Sequence, residues 1–139
     1  MSEADRTVLV CEDDPAMVRI FQFLLRQQGI RNVLTTSSGE NVMPLALKYQ
    51  PALILLDLML PGKDGLGVLQ DLKGQDVTRS IPVIVVSGKE SQQQVQQAMM
   101  AGAIDYVVKP FEPMELGTRI KTFLQDMSPN IAPDAGGLR

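Results

Sequence analysis

The 139-residue chain has no histidine, no tryptophan and one cysteine. Without histidine, Ser-His-Asp triads, Cys-His nucleophile pairs and imidazole metal sites are all excluded. A single cysteine forms neither an internal disulfide nor a CxxC redox pair, which suits a reducing compartment. Excess positive charge is also missing. Thirteen basic residues face sixteen acidic ones, a net charge of −3, and no basic stripe of the kind nucleic acid requires. Apolar runs such as Leu53–Leu56 are far too short to cross a bilayer, and residues 1–7 are polar and acidic, unlike a signal peptide. The expectation is a soluble, cytoplasmic, single-domain protein. Its chemistry has to come from carboxylates, lysine, hydroxyls and a bound hard cation.

What is present is a rhythm of short β-branched runs and helical patterns. Thr7–Cys11 reads as a strand, stopped by three acids and Pro15. Over residues 15–28, Met17, Phe21, Leu24 and Leu25 recur at helical spacing until Gly29. Asn32–Thr36 is a weaker strand. Ser38 is placed to cap the next helix, and Pro44 inside that pattern predicts a late start or a kink. Residues 51–57 form the strongest strand, apolar on both faces and therefore central. A tight loop at 61–65 leads to a helix carrying Leu66, Leu69 and Leu72. Residues 81–86 form another buried strand, with Pro82 tolerable only at its beginning. Ser91 caps a helix whose Val95, Ala98, Met99 and Gly102 share one face, the other face being mostly glutamine. Residues 104–108 form the last strand, and Pro113 opens a helix with Leu116, Ile120, Phe123 and Leu124 inward. Five βα rounds predict an α/β fold, a parallel sheet covered by helices on both faces. From Ser128 the periodicity stops, and 128–139 reads as a flexible tail or linker.

In open parallel sheets, ligands bind beyond the carboxyl ends of the strands. There the sequence places Glu12, Asp13 and Asp14 after the first strand and Asp57 after the third. Ser87 follows the fourth, Lys109 the fifth, and Thr36, Ser37 and Ser38 end the second. Each has an ordinary explanation in turn, cap or strand-end chemistry. Carboxylates placed together, however, repel and raise one another's pKa, so stability alone gives no reason for the grouping. Mg²⁺ resolves the repulsion, with Asp13 and Asp57 as direct ligands and Glu12 acting through water. Asp57 then becomes a carboxylate nucleophile for a phosphoryl group. Lys109 neutralises charge on the phosphoryl oxygens, Ser87 donates to one of them, and Gly88 leaves space.

These residues resemble the receiver domain of two-component response regulators. The resemblance runs over residues 7–127 and rests on VCEDDP (10–15), LLDLMLPGKDG (55–65), PVIVVSG (82–88) and GAIDYVVKPF (102–111). It implies a flavodoxin-like, doubly wound (βα)5 fold with strand order 2-1-3-4-5. Residues 1–6 become an N-terminal extension. Asp57 matches the phosphoacceptor and Glu12 and Asp13 the acidic pair. Met59 matches the backbone carbonyl ligand to Mg²⁺ or Mn²⁺, Ser87 and Tyr106 the switch pair, and Lys109 the site lysine. Met59, Gly88 and Lys89 flank the phosphoryl site and control water access. A cis Lys109-Pro110 bond is implied as well. The implied partners are a sensor histidine kinase or histidine phosphotransfer protein as donor, and an output protein or effector domain downstream. The output is reached through the fourth helix, fifth strand and fifth helix; the oligomeric state stays open. The chain is then a signalling phosphoacceptor rather than an enzyme, capable only of self-phosphorylation and slow dephosphorylation. A haloacid-dehalogenase-type phosphatase would need a second Asp where Met59 stands. A nucleotide-binding domain would need a GxGxxG or GxxxxGK[ST] loop, which follows no strand here. An interaction module that is never phosphorylated is the remaining alternative.

Overall fold

The computed structural model describes residues 6–88 and 91–126. Twelve elements follow one another: β1 (Thr7–Cys11), α1 (Pro15–Gln27), β2 (Asn32–Thr36), a 3-10 turn (Gly39–Asn41), α2 (Val42–Tyr49), β3 (Leu53–Leu56), α3 (Gly65–Gly74), α4 (Asp76–Arg79), β4 (Val83–Ser87), α5 (Gln92–Met100), β5 (Asp105–Val108) and α6 (Pro113–Asp126). The strands form one parallel sheet in the order β2-β1-β3-β4-β5.

Strand side chains alternate between faces, so each strand divides its residues between two cores. Leu9, Cys11, Ile54, Leu56, Val83 and Val85 face the side covered by α2, α3 and α5, where they meet Val42, Ala46, Leu69, Leu72 and Ala98. Val8, Val10, Leu53, Leu55, Ile84 and Val86 face the other side and pack on Phe21, Leu24 and Leu25 of α1 and Leu116, Ile120 and Leu124 of α6. All residues of β3 are buried, as its uninterrupted apolar sequence requires of a central strand. Each fully buried leucine or isoleucine contributes about 1.5–3 kcal/mol of transfer free energy. These two layers fix the strand ends that carry the polar residues. Cys11, the lone cysteine, lies wholly inside the first of them, and its burial pushes the thiol pKa far up.

Three local outcomes refine the sequence reading. Pro44 sits at the third position of α2, within the first turn, where its missing N–H has no intrahelical acceptor to lose. The late start is thus realised, and Ser38 caps the preceding 3-10 turn by accepting a hydrogen bond from Glu40 N. A single extra turn, α4, was not foreseen. Its buried Thr78 donates to Leu72 O at 2.6 Å, and Asp76 pairs with Arg79. Finally, Met99 does not join Ala98 inside: it is exposed, as is Met100. Nine residues of α5 present only a narrow stripe to α3, and Ala98 fills it.

Candidate functional site

The carboxyl ends of β1, β3, β4 and β5 bring four of the expected side chains into direct contact. Asp57 directly follows β3, and its amide donates to Cys11 O at 3.1 Å. Lys109 follows β5, and its amide donates to Ser87 O at 2.9 Å. The sheet's own hydrogen bonding therefore continues one residue past the strands and fixes the backbone from which these side chains reach. Ser87 Oγ donates to Asp57 Oδ1 at 3.0 Å, Met59 N donates to the same oxygen at 2.9 Å, and Lys109 Nζ donates to Asp57 Oδ2 at 2.8 Å. The ammonium also holds Glu12 Oε1 at 2.5 Å, while Glu12 Oε2 accepts from Asp14 N at 3.1 Å. Every oxygen of the two buried carboxylates is thus engaged.

Electrostatics follow from this burial. Glu12 is held above the usual carboxylate range, chiefly because burial penalises its charge; Lys109 opposes this and the Asp57 charge adds to it. Burial alone would lower Lys109, but its hydrogen bonds and charge pairing with Asp57 and Glu12 outweigh that and hold it above the ordinary lysine value. Lys109 is therefore fully charged at neutral pH. Tyr106, partly buried against the α3 and α5 side of the core, is shifted up by burial and by the Asp57 charge, while a hydrogen bond with Ser87 pulls the other way.

Asp13 is different. It is exposed, and no hydrogen bond or ion pair engages its carboxylate among the described residues. One carboxylate oxygen each from Glu12, Asp13 and Asp57 lie within 4.8 Å of one another. Three hard oxygen donors gathered in this way could hold a metal ion, and the open Asp13 leaves room for water ligands. A cleft of about 570 Å³ opens beside the pair, lined by Glu12, Asp13, Arg19, Thr36 and Ser37 among others.

Not every expected residue joins the cluster. Thr36 Oγ1 is taken up by the Ser38 backbone, although Thr36 O does accept from Glu12 N at 2.9 Å. Asp14 serves as N-cap of α1, accepting from Ala16 N at 3.0 Å. The Met59 side chain is exposed above the site, Gly88 is exposed beside it, and Lys89 lies outside the described residues. The Lys109-Pro110 bond is cis, as implied. Phe111 closes the 102–111 motif but was given no role from sequence; its ring stacks on Phe21 with centroids 6.0 Å apart and ties the loop after β5 to α1. An aromatic directly after Lys-Pro was the available signal.

The family model of the response regulator receiver domain matches residues 8–121. The chain is 36% identical over 124 residues to the phosphate regulon transcriptional regulatory protein PhoB of Escherichia coli strain K12, covering 89% of this chain and 54% of PhoB. It spans about half the length of such curated relatives. Among solved structures, the BeF3-activated N-terminal receiver domain of Klebsiella pneumoniae RstA superposes with a TM-score of 0.77 at 28% identity, covering 86% of this chain and 98% of that one. The receiver domain of the sensor histidine kinase PA1611 from Pseudomonas aeruginosa PAO1, with a magnesium ion coordinated in its active site cleft, gives 0.76 at 27% identity, covering 86% and 98%. No described helix is long and apolar enough to cross a membrane. Strand order, acidic cluster and family match agree: the chain belongs to the response regulator receiver domain family.

Proposed function

We propose that residues 7–127 form a phosphorylation-controlled signalling domain in which Asp57 accepts a phosphoryl group from the phosphohistidine of a sensor histidine kinase or a histidine phosphotransfer protein. The observation that carries this reading is the Asp57 carboxylate itself. It is buried at the sheet edge, with Lys109 on one oxygen and Ser87 and Met59 N on the other, and Glu12 and Asp13 converge on it. An Asp57 oxygen attacks phosphorus as the P–N bond of the donor breaks, and the electron pair leaves with the imidazole. Lys109 and Ser87 supply positive charge and a hydrogen bond to the phosphoryl oxygens, in a site that holds them in place beforehand. Asp13 and Asp57 would hold Mg²⁺ or Mn²⁺ directly, with the Met59 carbonyl, and Glu12 would act through water. Bound there, the cation supplies charge neutralisation of the phosphoryl group.

Ser87 already points at Asp57 and hydrogen-bonds Tyr106. Phosphorylation would therefore exchange the acceptor of the Ser87 hydroxyl rather than bring it in from solvent. Tyr106 would follow, and the population of the α5-β5-α6 surface would shift. That surface would recruit an output partner; PhoB, a transcriptional regulatory protein, suggests one class of output. Met59, Gly88 and Lys89 would set water access and phosphoryl lifetime. The lone buried thiol supports a cytoplasmic setting.

The test is incubation with a small acyl phosphate and Mg²⁺, followed by intact mass. Wild type is expected to gain one phosphoryl group and Asp57→Ala none. Steady, Asp57-dependent turnover of a phosphomonoester would instead support the phosphatase reading, although Met59 has no proton to transfer where that chemistry needs an acid. No phosphoryl gain in wild type would leave the unphosphorylated interaction module.

A further inference from the structure

The loop between β3 and α3, residues 57–64, delivers the Met59 N–H to Asp57 Oδ1. Its outer half rests on the 3-10 turn after β2. Gly39 N donates to Pro61 O at 3.0 Å. A side chain at Gly39 would overlap the Lys63 carbonyl oxygen and lie 3.1 Å from its carbon and 3.2 Å from the Lys63 nitrogen, all backbone atoms that cannot swing aside. Gly62, at φ +85°, meets the same turn from the other side: a Cβ there would lie 2.8 Å from Glu40 Oε1 and 3.0 Å from Ser38 Oγ. Two backbones are thus in direct contact, one of them ending in the Asp57 hydrogen bond.

From this contact we infer that Gly39 is a positioning residue for the acidic site: it seats the 57–64 loop so that Met59 N orients the Asp57 carboxylate toward Glu12 and Asp13. The inference rests on the cation-binding reading of those carboxylates. Groups that orient a ligand from outside its coordination shell change metal affinity on the order of 10- to 100-fold when lost. The Cβ position of Gly39 meets loop backbone, and the residue acts through Pro61 and Lys63 rather than by touching a ligand.

The experiment measures Mn²⁺ affinity by electron paramagnetic resonance of the free ion, with thermal unfolding in parallel, for wild type, Gly39→Ala, Gly62→Ala and Gly74→Ala. Gly74 has open space around its Cβ position and serves as control. The expected result is roughly 10-fold weaker Mn²⁺ binding in Gly39→Ala, a smaller loss in Gly62→Ala, and wild-type affinity in Gly74→Ala. A folded Gly39→Ala with wild-type affinity overturns the inference, even if its melting temperature falls, because the residue is then merely structural. Should Gly39→Ala fail to fold, Gly62→Ala decides: wild-type affinity there overturns it, weakened affinity supports it. A wild-type protein that binds no Mn²⁺ would refute the underlying cation-site reading instead.

Discussion

Replacing Lys109 with methionine probes the site's electrostatics most directly. The ammonium lies 2.5 Å from Glu12 Oε1 and 2.8 Å from Asp57 Oδ2, and the two carboxylate side chains are only 1% and 7% exposed. Methionine keeps the stem and removes the charge, leaving two buried carboxylates facing each other. Breaking a buried pair from one side costs about 3–5 kcal/mol. The lower end applies here, because the lysine is 18% exposed and water can reach the gap. A loss of about 3 kcal/mol in a domain of this size lowers the melting temperature by roughly 10–15 °C. The loss must also depend on pH. In the native protein Glu12 already binds its proton more tightly than usual, and without Lys109 it loses its opposing partner. A carboxylate with a raised native pKa binds more protons folded than unfolded, so stability falls as pH rises through that value. The deficit of Lys109→Met is therefore largest at neutral pH and shrinks as pH drops toward 4. Mg²⁺ should restore part of it, since a cation replaces the missing charge. Urea unfolding at pH 7 and pH 4.5, each with and without Mg²⁺, measures all of this. A Lys109→Met protein within about 1 kcal/mol of wild type at pH 7 without Mg²⁺ would refute the reasoning.

Other outcomes follow from the same contacts. Ser87→Ala removes the donor to Asp57 Oδ1, and phosphoryl uptake from a small acyl phosphate, timed by intact mass, should slow by on the order of 10-fold or more. Asp13→Asn removes a carboxylate that no described partner holds and that faces two others, so Mn²⁺ binding should weaken strongly while metal-free urea stability holds or rises. Tyr106 should ionise above the ordinary tyrosine value, since burial raises it; the ultraviolet titration of wild type minus Tyr106→Phe reads this out, and a midpoint at or below about 10 would contradict it.

The sheet was legible because β1, β3 and β4 are apolar on both faces, and β3 and β4 have no other stable place than the centre. The polar residues at the strand ends were legible for the same reason, since a parallel sheet gathers whatever follows its strands at one edge. What escaped was whatever lacks a periodic signature. The turn α4 is four residues long and is held by the Thr78 hydroxyl, hydrogen bonds between Arg79 and Lys73 and one ion pair, too short for any hydrophobic repeat to register. Met99 fell on the helical stripe by spacing, yet one alanine suffices where α5 meets α3. The contact between Gly39 and Lys63 joins residues 24 positions apart through backbone atoms, and nothing in either side chain announces it.

The burial of Cys11 has a practical side. A thiol so far from solvent, and held so strongly in its protonated form, is inert toward alkylating and disulfide-forming reagents. A second cysteine introduced at an exposed position, such as Met100 on α5, would thus carry a spin label or fluorophore alone, with the native residue left in place. The helix expected to move on phosphorylation can be tracked in the otherwise unaltered chain.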